Sequence, residues 1–269
     1  MLVYRTRLRY GRDMNQELVP SELERGELTH LITDKYAGNA SLVTQEDKDR
    51  LASGEPLAYI IGWIPFLGLR VHLDTHPLIP RPETEWWTEQ LIAHLKEKYA
   101  DKPFTFLDLC AGSGAIGLAI LKNFPHARVS FGEIVSEHAQ LIQKNIEIND
   151  LDAYRADIAT GDLFAPFSDT AFDIVATNPP YIPQDRVLER SVSAFEPGTA
   201  LYAGPDGLTT IRVIAKDAKK HMKEGGELWM EADIENVKRA GELLAHQGAL
   251  LTLIQNDHYA RPRVVIAYY

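Results

Sequence analysis

The sequence predicts an α/β chain: a mainly parallel sheet covered by helices on both faces, closed by an antiparallel last strand and preceded by a small helical segment. Three observations carry this. From Phe104 onward, strand-length runs rich in β-branched and aromatic residues alternate with stretches whose apolar residues recur at helical spacing, the pattern of strands joined by crossover helices. The two closing runs, "ALLTLI" and "RVVIAYY", are separated only by "QNDHYARP". Parallel neighbours need a crossover of about a dozen residues or more, so the last strand runs antiparallel to its partner. Finally, 269 residues exceed one typical domain of roughly 150 and suit one large domain with a smaller one.

The elements follow in order. "MLVYRTRLRYGR" carries four arginines and no acid, as a mitochondrial presequence does, but it lacks serine enrichment and its arginines alternate more than they spiral. From Met14 to Ser53 the chain is polar with apolar residues at helical spacing (Leu18, Leu23; Leu28, Leu31, Ile32). Thr44 followed by Asp47 opens a short helix ending near Gly54, in the manner of a capping box; the acidic stretch "QEDKDR" around Glu46 reads as a solvated helix face. "AYIIGWIPFLGLRVHLD", β-rich and broken by Gly and Pro, reads as a hairpin. After "LIPRPETE", a helix is expected over Trp86 to Tyr99. Then come "FTFLDLC", a helix from Ala115 to Asn123, "RVSFGEI", a helix from Glu137 to Asn149, "YRADIAT" and "FDIVATN". A helix near Leu208 to Met222, "GELWMEA", a helix near Ile234 to Gln247 and the two closing runs complete the series.

Composition narrows the function. Hydrophobic content of 45% with 25% charged residues is that of a soluble globular protein. A single cysteine, Cys110, rules out an internal disulfide and a Cys-based zinc site and points to a reducing compartment. The longest nearly uncharged run, "LAYIIGWIPFLGL", falls short of the roughly 20 residues of a membrane helix and is interrupted by Gly62, Pro65 and Gly68. A net charge of −10, from 28 Lys and Arg against 38 Asp and Glu, disfavours a large polyanion, because phosphate neutralisation supplies most nucleic-acid affinity. His72 and His76 lie four apart in a strand-like run, a poor geometry for a shared metal. No G-x-x-x-x-G-K-[ST] or G-x-S-x-G occurs.

Four motifs carry chemistry. "FLDLCAGSGAIGLAI" places Asp108, Cys110, Gly112 and Gly114 in a strand-to-helix turn, where glycines let a ligand approach the backbone at the carboxyl end of the sheet; the same glycines also serve a purely structural turn. Glu133 ends the next strand about 20 residues on, where doubly wound folds keep an acid for ribose hydroxyls; a solvated glutamate is the plain alternative. "GDLF" follows, an acid and apolar residues at a strand end that suit an adenine, with Asp162 at its exocyclic amine and the apolar residues against its face; Asp162 is equally a plain turn residue. "NPPY", Asn178 to Tyr181, ends a strand with two prolines that fix φ and offer no N–H. Asn178 and the neighbouring carbonyls accept hydrogen bonds, and Tyr181 gives an aromatic wall, which together suit a planar –NH₂ group; Asn-Pro alone is equally a rigid turn.

"NPPY" after a strand with "LDLCAGSG" upstream resembles amino-methyltransferases that use S-adenosylmethionine. More narrowly, "GEPLAYIIGWIPFLGLRV", "LIPRPETE", "GDLF", "NPPYI", "FEPGTAL" and "PDGL" resemble the release-factor glutamine methyltransferases, from about Gly54 to the terminus. The resemblance implies a class I S-adenosylmethionine-dependent methyltransferase fold, Rossmann-like, with seven strands and an antiparallel last one. It implies a helical substrate-docking domain over 1–56, a β-hairpin linker over 57–82 and the methyltransferase domain over 83–269. The methyl donor falls on Asp108, Cys110, Ala111, Gly112, Ser113 and Gly114, with Glu133 at the ribose and Asp162 and Leu163 at the adenine. Asn178, Pro179, Pro180 and Tyr181 cradle the substrate, Asn178 also near the donor, and "FEPGTAL" shapes the same pocket. The chain departs from the family where glycine is usual at Cys110, aspartate at Glu133 and tryptophan at Leu163, and its N-terminal segment is shorter.

The expected activity is methyl transfer to the side-chain amide nitrogen of the glutamine in the Gly-Gly-Gln motif of a peptide chain release factor. An adenine-N6 nucleic-acid methyltransferase presents the same two N–H donors and is the rival, with a catalytically idle cofactor-binding module as the third reading. The expected setting is a monomer, with no nucleic acid, membrane or metal partner, in the bacterial cytoplasm or, as the lesser alternative, the mitochondrial matrix.

Overall fold

The computed structural model describes residues 20–269; the arginine-bearing N-terminus through Arg12 and the Leu18 part of the helical reading lie outside the described residues. The chain opens with α1 (Pro20–Tyr36), a 3₁₀ turn at Ala40–Leu42, α2 (Gln45–Ala52) and α3 (Leu57–Ile61). The expected cap of α2 is present. Thr44 Oγ1 accepts from the Asp47 N–H at 3.1 Å, and the Asp47 carboxylate accepts from the Thr44 N–H at 3.3 Å. "QEDKDR" is not wholly a solvated face, however, because Asp47 is only 2% exposed. Lys35, at 2.7 Å, and Tyr36 both donate to its carboxylate from the last turn of α1. Burial opposes the charge on Asp47, but hydrogen bonds from Lys35, Tyr36 and Thr44 outweigh it and hold its carboxyl down to about 2.

The stretch expected to be all hairpin begins as helix: α3 buries Tyr59 and Ile60 and closes at Gly62, whose φ of 89° is cheap only for glycine. A short apolar run satisfies either period, and burial of two large side chains decides it. The hairpin proper is β1 (Trp63–Phe66) with β2 (Leu69–His72), paired antiparallel and joined by Leu67 and Gly68. Both turn residues have positive φ, 46° and 73°, as the favoured two-residue hairpin turn requires.

Next come α4 (Pro82–Tyr99), β3 (Phe104–Leu109), α5 (Ala115–Asn123), β4 (Ala127–Glu133), α6 (Ser136–Ile148), β5 (Ala156–Thr160) and β6 (Phe172–Thr177). Two short helices, α7 (Arg190–Ser193) and α8 (Gly198–Leu201), precede α9 (Thr209–Ala218), β7 (Met222–Glu231), α10 (Val237–His246), β8 (Leu251–Asn256) and β9 (Pro262–Tyr268). Helix α4 starts at Pro82 rather than Trp86. Proline at the first helical position loses no intrahelical bond, and Glu83 and Glu85 in the first turn suit the helix dipole.

The seven strands run in the order β5-β4-β3-β6-β7-β9-β8, all pairs parallel except those of β9, which lies antiparallel between β7 and β8. Side chains of the central strands alternate between two cores. Phe106, Ile174, Trp229 and Ile266 pack with α4 and α5 through Trp87, Leu91 and Ile120; Leu107, Val175, Leu228 and Val265 pack with α9 and α10 through Ile211, Ile214 and Leu244. Strands buried on both faces read as continuous apolar runs. Among the described residues no helix is long and apolar enough to cross a membrane.

Two asparagines on α6 fasten the hairpin to this body. Asn145 accepts from the His72 N–H at 2.8 Å and donates to the His72 carbonyl at 3.2 Å, and Asn149 does the same for Arg70 at 2.9 and 2.8 Å. Each side-chain amide thus takes the place of a missing strand residue.

Strand register aligns the motifs. Leu109 pairs with Gly132 on one side and Thr177 on the other, Glu133 pairs with Thr160, and Thr177 pairs with Met230. Cys110, Glu133, Gly161, Asn178 and Glu231 therefore stand side by side along the carboxyl edge of the sheet, astride the point where the strand order reverses, where open α/β sheets bind ligands.

Candidate active site

Beyond β3 the chain turns through Cys110, Gly112 and Gly114, with φ of 59°, 57° and 82°. A left-handed conformation costs an L residue roughly 1–2 kcal/mol, so Cys110 carries a strain that the glycine usual in the resembling family avoids. Burial, with Glu133 adding to the effect, pushes its thiol up to about 12. Ala111 donates to the Gly132 carbonyl at 3.0 Å, and Gly114 donates to the Ala111 carbonyl at 2.7 Å. The Ser113 carbonyl accepts from Asn145 at 3.0 Å, so one amide serves both hairpin and loop.

Two carboxylates frame this loop. Glu133 is buried, and its oxygens accept from the Gly112 N–H at 2.7 Å and the Val135 N–H at 3.0 Å, which excludes a solvated strand-end glutamate. A carboxylate has about four acceptor positions, so two remain for a ligand. Asp108 accepts from the Gly117 N–H at 2.8 Å through one oxygen, while the other is buried and unpaired. Burial raises its carboxyl well above the ordinary range. Asp162 is exposed in a turn in which its carbonyl accepts from Ala165 at 2.9 Å, and Leu163 has φ of 46°. The Gly161 N–H donates to the Glu133 backbone carbonyl at 2.9 Å, so "GDLF" is tied to the strand end that carries Glu133.

On the other side of Asn178 lies a cavity of about 570 Å³ whose lining includes Asn178, Pro179, Tyr181, Leu78, Arg81 and Glu231. Asn178 donates to Thr84 Oγ1 at 3.2 Å, while its Oδ1 is buried without a partner. Among the described residues no hydrogen bond occupies the Pro179 carbonyl. Leaving a buried acceptor unpaired costs roughly 1–3 kcal/mol, a cost that an N–H donor reaching it from the cavity Asn178 lines would remove. Tyr181 does more than present a ring. Its hydroxyl donates to Glu231 at 2.9 Å, and burial, with Glu231 adding to it, pushes its ionisation well above the ordinary range.

The quoted motifs meet around this cavity. Arg81 of "LIPRPETE" donates to Glu196 of "FEPGTAL" at 2.6 Å, and the Ile79 N–H reaches the other Glu196 oxygen at 3.1 Å. The "PDGL" segment passes beneath "NPPY": Gly207, at φ 71°, lies so close that a Cβ there would stand 2.3 Å from the Tyr181 carbonyl oxygen. Ile182 donates to the Leu201 carbonyl and accepts from the Ala203 N–H, each at 2.9 Å, which holds the following turn. Three residues absent from the sequence reading join the site. Thr84 and Trp87 on α4 both donate to Glu231 at the end of β7, each at 2.7 Å. The signal available was the strand-end acid of "GELWMEA", standing where Glu133 stands on its strand.

Comparison with known proteins follows the geometry. The Methyltransferase small domain family matches residues 84–196. A release factor glutamine methyltransferase of Chlamydia trachomatis is 40% identical over 178 residues, covering 65% of this chain and 59% of its own length. One from Mycolicibacterium smegmatis is 32% identical over 241 residues, covering 86% of this chain and 84% of its own. The match thus spans less than two thirds of the first relative and most of the second. A solved methyltransferase from Pyrococcus furiosus superimposes with a TM-score of 0.54 at 14% identity, covering 84% of this chain and 98% of that one. The fold is that of the class I methyltransferases.

Proposed function

The chain belongs to the release factor glutamine methyltransferase family, and from that premise we propose that it methylates the side-chain amide nitrogen of the glutamine in the Gly-Gly-Gln loop of a peptide chain release factor. The observation that carries this reading is the unpaired, buried Oδ1 of Asn178, a residue that lines the cavity.

The residues on the donor side fit S-adenosylmethionine. Gly112 leaves the loop open, the nearest atom to a Cβ there being 4.0 Å away. The free oxygen of Asp108 suits an ammonium group, and Glu133 retains acceptor capacity for ribose hydroxyls. Leu163 and Asp162 flank the position for an adenine. When bound, S-adenosylmethionine supplies an electrophilic methyl group on a sulfonium.

A glutamine amide nitrogen is a poor nucleophile because its lone pair is delocalised into the carbonyl. Asn178 Oδ1 and the Pro179 carbonyl accept its two hydrogens, which raises electron density on nitrogen and fixes its direction, with Pro180 stiffening the turn and the Tyr181 ring walling the planar group. Orientation of this kind lowers a barrier by several kcal/mol, about 7–11 at the upper end. No general base is needed beforehand, since the proton becomes acidic only after transfer. A net charge of −10 weighs against adenine in a nucleic acid as the substrate.

The segment ahead of the sheet serves to dock the release factor, and the protein works as a monomer in the cytoplasm. Mass spectrometry of a release factor incubated with this protein and S-adenosylmethionine tests the proposal: a 14-dalton gain on the Gly-Gly-Gln peptide is the expected result, and its absence, with methylation of free nucleic acid instead, selects the rival.

A further inference from the structure

Glu231 closes β7 at 1% exposure, and among the described residues no lysine or arginine lies within ion-pair distance of it. Three neutral donors surround it instead: the Thr84 hydroxyl and Trp87 indole on one oxygen, and the Tyr181 hydroxyl on the other. A buried carboxylate needs its lone pairs satisfied, and here the donors that satisfy it come from α4 and from the "NPPY" turn.

The direction of these bonds fixes something further along. A carboxylate only accepts, and a hydroxyl has one hydrogen. The Thr84 hydrogen points to Glu231, so toward Asn178 the Thr84 oxygen offers lone pairs alone. Asn178 must then turn its –NH₂ to Thr84, and its Oδ1 is left unpaired. With the amide inverted, two acceptors would face each other at Thr84, and the cavity would meet donors where the substrate also brings donors.

We propose that Glu231, acting through Thr84, is the positioning residue that sets which face Asn178 presents to the substrate nitrogen; this rests on the reading of Asn178 as the acceptor of the glutamine amide. In this role Glu231 acts through Thr84 and not on the substrate nitrogen itself. It converts an amide, which shows a donor or an acceptor with equal ease, into an acceptor of fixed direction, and through Tyr181 it holds the far end of the same turn.

Thr84→Val keeps the shape and removes the relay, while Thr84→Ser keeps the hydroxyl. With the release factor as substrate, Thr84→Val is expected to lower kcat by about 10- to 100-fold, the range of a lost buried hydrogen bond to a charged group, with KM and calorimetric S-adenosylmethionine affinity unchanged. Thr84→Ser restores kcat. Glu231→Leu, which removes the acceptor and lets the Thr84 hydrogen turn toward Asn178, is expected to lose at least as much. Equal kcat in wild type and Thr84→Val overturns the relay, as does a fall in Thr84→Ser matching that in Thr84→Val. The orientation is also read without substrate, from the side-chain amide protons of Asn178 in ¹⁵N-resolved spectra. Their exchange with water should quicken in Thr84→Val and not in Thr84→Ser, and unchanged exchange overturns the relay. A wild-type protein that methylates no release factor sinks the functional reading alone, because this second measurement stands without it.

Discussion

The carbonyl oxygen of Tyr181 occupies the space beside Gly207 so fully that a methyl group on Gly207 would lie 2.3 Å from it. The two segments, "NPPY" and "PDGL", are built against each other, and the smallest side chain at one is a condition for the backbone path of the other. Gly207→Ala must both adopt φ of 71° and push the Tyr181 carbonyl aside. It should destabilise the fold by about 1–3 kcal/mol and lower turnover while S-adenosylmethionine binding persists. Denaturant midpoints at constant slope, alongside methylation rates, check this; wild-type turnover in the variant would contradict it.

Asn178→Ala removes the acceptor itself. Turnover on a release factor should fall by about 100- to 1,000-fold, the cost of deleting one preorganised polar contact at a reacting centre. Thermal stability should stay near wild type, because the Oδ1 being removed has no partner to lose and the bond to Thr84 is long at 3.2 Å. Rates paired with melting curves separate the two effects.

Cys110 allows a test of backbone strain. Cys110→Gly relieves a left-handed residue but frees the unfolded chain, by about 0.5–1 kcal/mol, so stability should change by less than about 1 kcal/mol. Cys110→Val forces a β-branched residue into φ of 59° and should cost about 2 kcal/mol or more. Equal midpoints for the two variants in urea would show that the loop is not strained at this position.

Asp47 governs part of the acid response. Its carboxyl falls from an ordinary 3.8 to about 2 in the folded chain. A group whose folded value is depressed contributes stability above its unfolded value and loses it as pH falls through the folded value. The clamp between α1 and α2 is therefore at full strength above about pH 4 and is released between about pH 4 and pH 2. Asp47→Asn, which removes this titration, should flatten stability against pH across that window while lowering stability at neutral pH. An unchanged slope in acid titrations followed by circular dichroism would refute the assignment.

Helix α5 was legible to its ends because a glycine turn, a run of apolar residues and a following Asn-Phe-Pro bound it on both sides, and β9 was legible because eight residues cannot carry a crossover. Local chemistry was equally readable at Thr44 and Asp47, where a cap needs only near neighbours. What stayed hidden depends on partners far along the chain. Nothing in "QEDKDR" says that Lys35 and Tyr36 will close over Asp47, and nothing in "GELWMEA" separates Glu231 from any strand-end glutamate until Thr84, 147 residues away, is seen donating to it. The helix at Leu57–Ile61 escaped because five apolar residues fit both periods. In the site, residue types pointing at a ligand were visible; the residues that aim them were not.

Asn145 and Asn149, standing in for a third strand, also bear on the order in which the chain assembles. A two-stranded hairpin alone is marginal in water, and β2 completes its bonds only on a helix that begins at Ser136. During synthesis the segment around Arg70 and His72 must wait, already made, for a partner still to be translated. Pulsed hydrogen exchange should find the amides of Arg70 and His72 protected in the same phase as those of α6, so that the part of the molecule standing first in sequence is completed by a part that comes well after it.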